Sequence, residues 1–381
     1  MNLPSLISMI EQLIASPSVS SINSGWDQSN QGVIEHLSDW MESLGFTVEI
    51  LPIPGQPGKS NLIASAGSGP HGLVLSGHTD TVPFDDNRWN SDPFKLTQQG
   101  DRLYGLGTSD MKAFFAIAIE ALRDLDLKRL KQPLILLATA DEESTMCGAQ
   151  TLVDSHRKLG RHAVIGEPTG LRPVRMHKGI SMETIRLIGR SGHSSNPALG
   201  VNAMEGMHEV IGEILAWRQK LQRDHKNPLF EVEVPTVNLG HIHGGDNPNR
   251  ICAECELQID IRPLPGMRLK DLREELRERI SNRLKDSKLQ LEMESPFSGI
   301  PAMETPLTAE IVNACEILTG HPAGAVAFGT EAPYLQQLGM ETIVLGPGDI
   351  DQAHQPDEYL GLERIEPMVG IVRQLIKRFC L

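Results

Sequence analysis

Short, unbroken apolar runs open and close this chain, and a stretch of strict two-residue alternation stands between them. Residues 73–75, 134–138 and 163–165 read as buried strands, and residues 113–125 as a helix. Strands that alternate with helices imply an α/β sheet layered with helices. From Ile180 the pattern changes. Residues 182–188 read as a strand, 201–221 as a helix and 236–242 as a strand. Residues 251–261 form a strand in which Ile251, Ala253, Cys255, Leu257, Ile259 and Ile261 share one face. A helix over 269–284, with Leu272, Leu276 and Ile280 on one side, and a strand over 289–293 complete a βαββαβ order. That is the split βαβ unit of ferredoxin-like domains, a half-exposed sheet covered by two helices. After a loop-like stretch at 295–306, a helix at 309–318, a strand at 342–345 and a helix at 363–379 resume the first style. The expectation is a large, discontinuous α/β domain, residues 1–178 and 292–381, interrupted by a ferredoxin-like domain at 179–291.

Composition narrows the function. The chain has 381 residues, 40% hydrophobic and 22% charged, enough apolar material for two globular domains. A net charge of -14 without clustered Lys and Arg argues against nucleic acid as a partner. No apolar run approaches the roughly 18 residues of a membrane span, and an acidic chain gains nothing at an anionic bilayer, so no membrane is expected either. Residues 1–20 contain Glu11, lack a basic start and place Leu6, Ile7, Ile10, Leu13 and Ile14 at helical spacing. No export signal is read there, and a cytoplasmic location is expected. Five cysteines fit reduced thiols. Cys252 and Cys255 form a CxxC, but on an alternating strand they face opposite sides, and no thiol metal site is expected.

Polar side chains accumulate just past the predicted strands, where α/β sheets place their ligands. Ser76-Gly77-His78-Thr79-Asp80 follows the first strand, and His78 and Asp80, two apart, point the same way. The pair suits a metal ligand with its orienting carboxylate, although taken alone such a pair is more often a structural histidine. Asp110 precedes the 113–125 helix and reads either as a ligand or as an N-cap. Asp141, Glu142 and Glu143 are adjacent acids that a buried placement tolerates only beside a cation or proton, or else a solvated loop. Glu167 and His354 follow two further strands. Two histidines and three carboxylates from five strand ends match the ligand set of a two-metal hydrolase in which one carboxylate bridges the ions.

These segments resemble the M20 family of metallopeptidases and deacylases. The likeness runs through GHTDTVPFDD (77–86), LYGLGTSDMK (103–112), TADEE (139–143), IGEPT (165–169), GHSS (192–195), LGHIHGGD (239–246), NRIC (249–252), DIRPLPGM (260–267) and LGPGDIDQAHQPDEYL (345–360). One departure is Ala113, where the family usually has glycine; alanine suits the start of a helix. The resemblance implies two Zn2+ per subunit, with Co2+ able to substitute. His78, Asp110 and Glu167 would serve one ion, and Asp110, Glu143 and His354 the other. It implies that Asp80 orients His78, that Glu142 is the general base, and that His193, on the inserted dimerisation and lid domain, donates to the oxyanion in the partner subunit of a homodimer.

The implied reaction is hydrolysis of an N-acyl amino acid, with N2-acetyl-L-ornithine as first choice of substrate. Zinc brings the pKa of bound water down to about 7, and a carboxylate not spent on the metal relays its proton to the leaving nitrogen. Arg262 and Arg250, with Asn249 as a neutral donor, are candidates for the substrate carboxylate, although Arg250 suits a surface ion pair equally. Thr330 resembles a substrate-lining position. Succinyl-diaminopimelate desuccinylase is the nearest rival, followed by other deacylases and dipeptidases. A metal-containing binding protein without turnover is the alternative of another class; the presence of Glu142 and His193 weighs against it. Gly105–Gly107 is too little for a nucleotide site. His241 and His243 share a strand face without a companion acid or thiol, and Met176, Met182, Met204 and Met207 read as core filling.

Overall fold

A computed structural model describes residues 3–85 and 87–381. Met1, Asn2 and Asp86 lie outside the described residues, the last of them closing the GHTDTVPFDD segment and the first two opening the stretch read for an export signal. The chain divides into two compact units, one of Met1–Arg175, Thr305–Gly324 and Thr330–Leu381, the other of Met176–Glu304 and Ala325–Gly329.

In the first unit four strands run parallel in the order Leu134–Thr139, Leu73–His78, His162–Ile165, Glu341–Val344. Ser60–Ala66 and then Thr47–Pro52 extend the sheet antiparallel from the Leu134 edge. The three strands Leu73–His78, Leu134–Thr139 and His162–Ile165 are buried along their whole length, as unbroken apolar runs require when both sheet faces are covered. The helix Lys112–Leu122 buries every residue except Glu120 and packs on the Leu73 strand and on the helices Leu6–Ile14 and Ile365–Phe379. Each large side chain fully buried there, Phe115 and Ile117 among them, contributes about 1.5–3 kcal/mol relative to exposure. The helix stops short of residue 125 because Leu125 N–H bonds to Leu122 O, a tighter turn that ends the α pattern.

The second unit holds an antiparallel sheet in the order Thr236–Gly244, Glu254–Arg262, Ser181–Ile188, Gln290–Glu294. With the helices Ala203–Asp224 and Leu269–Leu284 this is the βαββαβ arrangement read from the alternation. Ile185, Leu187, Leu257, Ile259 and Ile261 meet Ile214, Trp217, Leu276 and Ile280 in one core. Asn202 starts the first helix by accepting the N–H groups of Met204 and Glu205. All five residues of Gln290–Glu294 pair with the Ser181 strand, so the sheet extends past residue 291.

Several local expectations change. The third strand begins at Glu254 rather than at residue 251, because the Ile251 N–H bonds to Gly192 O and the Cys252 carbonyl accepts from Ala203 N–H, outside the ladder. Cys252 therefore precedes the strand, and it packs in the same core as Cys255 instead of facing away. All five cysteines are free thiols. Met176 and Met207 are core residues, whereas Met182 and Met204 are 39% and 49% exposed. A bulge separates Leu239 from His241, and His241 and His243 are both exposed. Among the described residues no helix is long and apolar enough to cross a membrane.

Candidate metal centre

The parallel strands end in register, His78 opposite Thr139, Ser76 opposite Ile165 and Ile165 opposite Val344. Their continuations therefore emerge at one edge of the sheet. His78 closes its strand, Asp141–Glu143 follows Thr139, Glu167 follows Ile165, and His354 stands in the loop after the Glu341 strand. Gly166 is required by packing. A Cβ there would lie 2.1 Å from the ring of Phe114, so only glycine lets the chain pass and present Glu167.

Asp110 departs from the strand-end pattern. It occupies the loop before the Lys112 helix, Met111 holds the capping position, and no side chain caps that helix. What fixes Asp110 is Glu358. Oε1 of this buried carboxylate accepts the N–H groups of Ser109 at 2.7 Å and Asp110 at 2.9 Å, and Oε2 accepts that of Gly107 at 3.0 Å. The backbone donors of the glycine-rich turn are thus occupied by a carboxylate, not open to a phosphate. Burial drives the Glu358 carboxyl up to about 8 in spite of these donors.

Asp110 turns its oxygens two ways. Oδ1 lies 3.1 Å from Nε2 of His78, and Oδ2 lies 3.5 Å from Nε2 of His354. His78 Nε2 is also 3.7 Å from Glu167 Oε2, and His354 Nε2 is 3.1 Å from Glu143 Oε1. His78 Nδ1 donates to the carbonyl of Asp80 at 2.9 Å, which leaves a lone pair on Nε2 in the neutral ring. The Asp80 carboxylate stands farther off, Oδ1 at 3.7 Å from Nδ1, and accepts instead from the N–H groups of Glu142 at 3.3 Å and Glu143 at 3.0 Å.

The donor set suits divalent cations. Ligand atoms of His78, Asp110 and Glu143 lie within 4.8 Å of one another, as do those of His78, Glu142 and Glu167. Glu167 Oε1 is buried without a hydrogen-bond partner, as an oxygen reserved for an ion would be. Burial, reinforced by the charge of Glu167, holds the Glu142 carboxyl well above its ordinary range, and burial raises Glu167 to about 8 and Asp80 to about 6. Burial pulls His78 down, but Glu167 and Asp110 outweigh it and raise it well above 6.5; hydrogen bonds donated to Asp110 and Glu143 take His354 to about 11. Carboxylates packed this closely need positive charge beside them, which protons or divalent cations can supply.

The other anticipated residues have partners close to them in the chain or within their own unit. Thr330 is fully buried and its hydroxyl accepts from Ala332 N–H at 3.1 Å. In the second unit Arg262 pairs with Asp260 at 2.9 Å, Arg250 with Asp246 at 2.6 Å, and the Asn249 carbonyl accepts from Ser194 N–H. His193 is exposed, and its Nδ1 accepts the N–H of Ser195 at 3.2 Å. Residues that sequence reasoning passed over stand behind the ligands. Besides Glu358, buried Glu331 accepts from the hydroxyls of Ser76 and Thr139, the latter at 2.6 Å, tying two ligand-bearing strands together. Glu331 directly follows Thr330 and Glu358 lies four residues beyond His354, so proximity to a candidate was the one signal available.

Comparison with known proteins agrees with this geometry. Residues 74–378 match the model of peptidase family M20/M25/M40. An acetylornithine deacetylase of Edwardsiella ictaluri is 51% identical over 378 residues, covering 99% of this chain and 98% of that protein. Another, of Pectobacterium carotovorum, is 50% identical over 383 residues, covering 100% and 99%. Among solved structures, a tripeptidase from Staphylococcus aureus superposes with a TM-score of 0.76 at 20% identity, covering 99% of this chain and 98% of that one. A dinuclear metal binding M20 peptidase of Bacillus subtilis gives 0.68 at 15% identity, covering 98% and 97%. With a family match over most of its length and full-length relatives at half identity, the chain belongs to peptidase family M20/M25/M40.

Proposed function

We propose that this protein is a dinuclear zinc amidohydrolase that removes the acetyl group from N2-acetyl-L-ornithine to give L-ornithine and acetate, a step of arginine biosynthesis. The observation that carries the chemistry is Asp110, one oxygen toward His78 and the other toward His354, with Glu142 beside them and bonded to neither histidine. The substrate follows from full-length relatives at about half identity that bear the name acetylornithine deacetylase.

In this reading His78, Asp110 and Glu167 hold one Zn2+, and Asp110, Glu143 and His354 the other, with Co2+ able to replace either. When bound, such ions would supply Lewis-acid polarisation of the amide carbonyl and a lower pKa for a water held there. Glu142 would take the proton of the attacking water and carry it to the departing nitrogen, a role that needs a carboxylate within hydrogen-bond reach and not spent as a ligand. Burial raises the Glu142 pKa, and positive charge beside it would work in the opposite direction. Asp80 keeps Glu142 in place through the backbone and holds the His78 ring by its carbonyl.

The first compact unit, read from the sequence as residues 1–178 and 292–381, is the catalytic domain in this proposal, and the inserted unit, read as 179–291, a dimerisation and lid domain that sends His193 into the partner's site of a cytoplasmic homodimer. A backbone N–H can only donate, so the Ser195 contact leaves Nδ1 of His193 unprotonated and places the proton on Nε2, the tautomer an oxyanion donor needs. Arg262, Arg250 and Asn249 serve the substrate carboxylate, and Thr330 supports the wall of its site.

The test is turnover of N2-acetyl-L-ornithine and succinyl-diaminopimelate side by side by protein reconstituted with Zn2+ or Co2+, with metal counted per chain. Two ions and preference for the acetyl substrate are expected. Preference for the succinyl substrate overturns the substrate, and a single ion per chain overturns the dinuclear centre.

A further inference from the structure

Glu142 and Glu143 sit on a turn, residues 141–146, that something must hold against the rest of the first unit. Asp141 opens it in the left-handed region at φ 55, a conformation that costs a non-glycine residue energy although aspartate tolerates it best. Its carbonyl accepts from Thr145 and Met146 N–H, closing the turn at 3.1 and 2.7 Å. Its side chain is buried, and an isolated carboxylate there would be expensive. The compensation is Lys59, itself 2% exposed, whose ammonium lies 2.6 Å from Asp141 Oδ1 and 2.9 Å from Asp27 Oδ1. Burial works against the charge on Lys59, but the two carboxylates outweigh it.

The route from Lys59 leads back to the site. Asp27 also accepts the N–H of Ser21, the neighbouring Ser20 hydroxyl meets that of Ser144 on the turn at 2.5 Å, and Ser20 N–H bonds to Thr81 O, next to Asp80. The turn is therefore gripped at three points, by Asp80 through the N–H groups of Glu142 and Glu143, by Ser20 through Ser144, and by Lys59 through Asp141. We propose that Lys59 is a positioning residue for Glu142, a buried cation that holds the turn at the place where its carboxylate meets the attacking water. This rests on the reading of Glu142 as general base.

A base displaced by about 1 Å loses on the order of 100-fold in rate. Lys59→Met, assayed at saturating metal because Glu143 rides on the same turn, is therefore expected to lower kcat by about 10- to 100-fold with KM within two-fold. The decisive measurement repeats the substitution in a Glu142→Gln background. If Lys59 acts through Glu142, it then changes the residual kcat less than two-fold; a general loosening of the fold lowers both backgrounds equally and overturns the proposal, as does a native kcat in Lys59→Met. Near-native activity in Glu142→Gln alone defeats the base reading, a separate failure. Should Lys59→Met not fold, Lys59→Arg keeps the cation in another shape. It is expected to lose several-fold in kcat in the native background and nothing in the Glu142→Gln background, and equal losses in both again overturn the idea.

Discussion

The N–H of Asp110 donates to the buried carboxylate of Glu358 at 2.9 Å, so the residue proposed to bridge two metal ions is placed by a second acid 248 positions away. Two carboxylates in one site repel each other, yet the backbone between them turns one into an anchor for the other. Glu358→Ala leaves the N–H groups of Gly107, Ser109 and Asp110 without their acceptor. At about 1–3 kcal/mol for each buried unsatisfied group, stability should fall by several kcal/mol, and metal retention by about 10- to 100-fold. Urea unfolding and metal content after dialysis against a chelator test this; unchanged values in both refute the anchoring role.

Glu142→Ala should keep both metals and lose about 100- to 10,000-fold in kcat. The comparison is metal analysis beside steady-state rates. An active variant would remove Glu142 from the role of base.

His193→Ala should cost about 100- to 1,000-fold in kcat, the usual loss of an oxyanion donor. If the histidine serves the partner's site, mixing His193→Ala with Glu142→Ala protein should restore activity, because one site of each mixed dimer then has both groups. Mixed dimers, verified by differential tagging, that stay inactive count against donation between subunits.

His177 gives a pH prediction for the second unit. It is fully buried, its Nδ1 donates to the Lys178 carbonyl, and Nε2 has no partner. Burial lowers its pKa to about 4, so the folded protein keeps it neutral while the unfolded chain takes up a proton below about 6.5. The unfolded state then binds more protons, and stability is full above 6.5 and lost as pH falls toward 4, by up to about 1.4 kcal/mol per pH unit. His177→Leu should flatten this part of the stability curve measured by urea unfolding; an unaltered slope contradicts it.

Gly166→Ala would drive a methyl into the ring of Phe114. Overpacking of this kind costs about 1–3 kcal/mol, and here the strain displaces Glu167, so one metal should bind more weakly than the other. Calorimetric titration of the apoprotein distinguishes the sites; two unaltered affinities would show that Phe114 yields instead.

The parts of the fold that sequence reasoning reached are those written in short-range patterns. Unbroken runs such as Leu134–Thr139 and the alternation through Leu257, Ile259 and Ile261 carry their burial in the order of residues. The ligand candidates stood out for a similar reason, since a His or an acid directly after an apolar strand is out of character with the run before it. Lys59, Glu331 and Glu358 have no such contrast: each reads as an ordinary surface charge, and only long-range contacts show it to be buried. Asp110 was recognised as a candidate but assigned to a strand end, because the Glu358 contact that places its loop spans most of the chain. Strand boundaries slipped where backbone groups bond outside the ladder, as at Ile251 and Cys252.

The Glu341–Val344 strand lies beside His162–Ile165, but the whole inserted unit separates them along the chain. During synthesis the His162 strand therefore waits with one edge bare while the ribosome makes the insert, which can fold first around its own local contacts. His354 emerges after the other four proposed ligands. A nascent chain therefore cannot offer the full set of proposed donors until residue 354 has left the ribosome, and one cut short before that point would lack a proposed ligand.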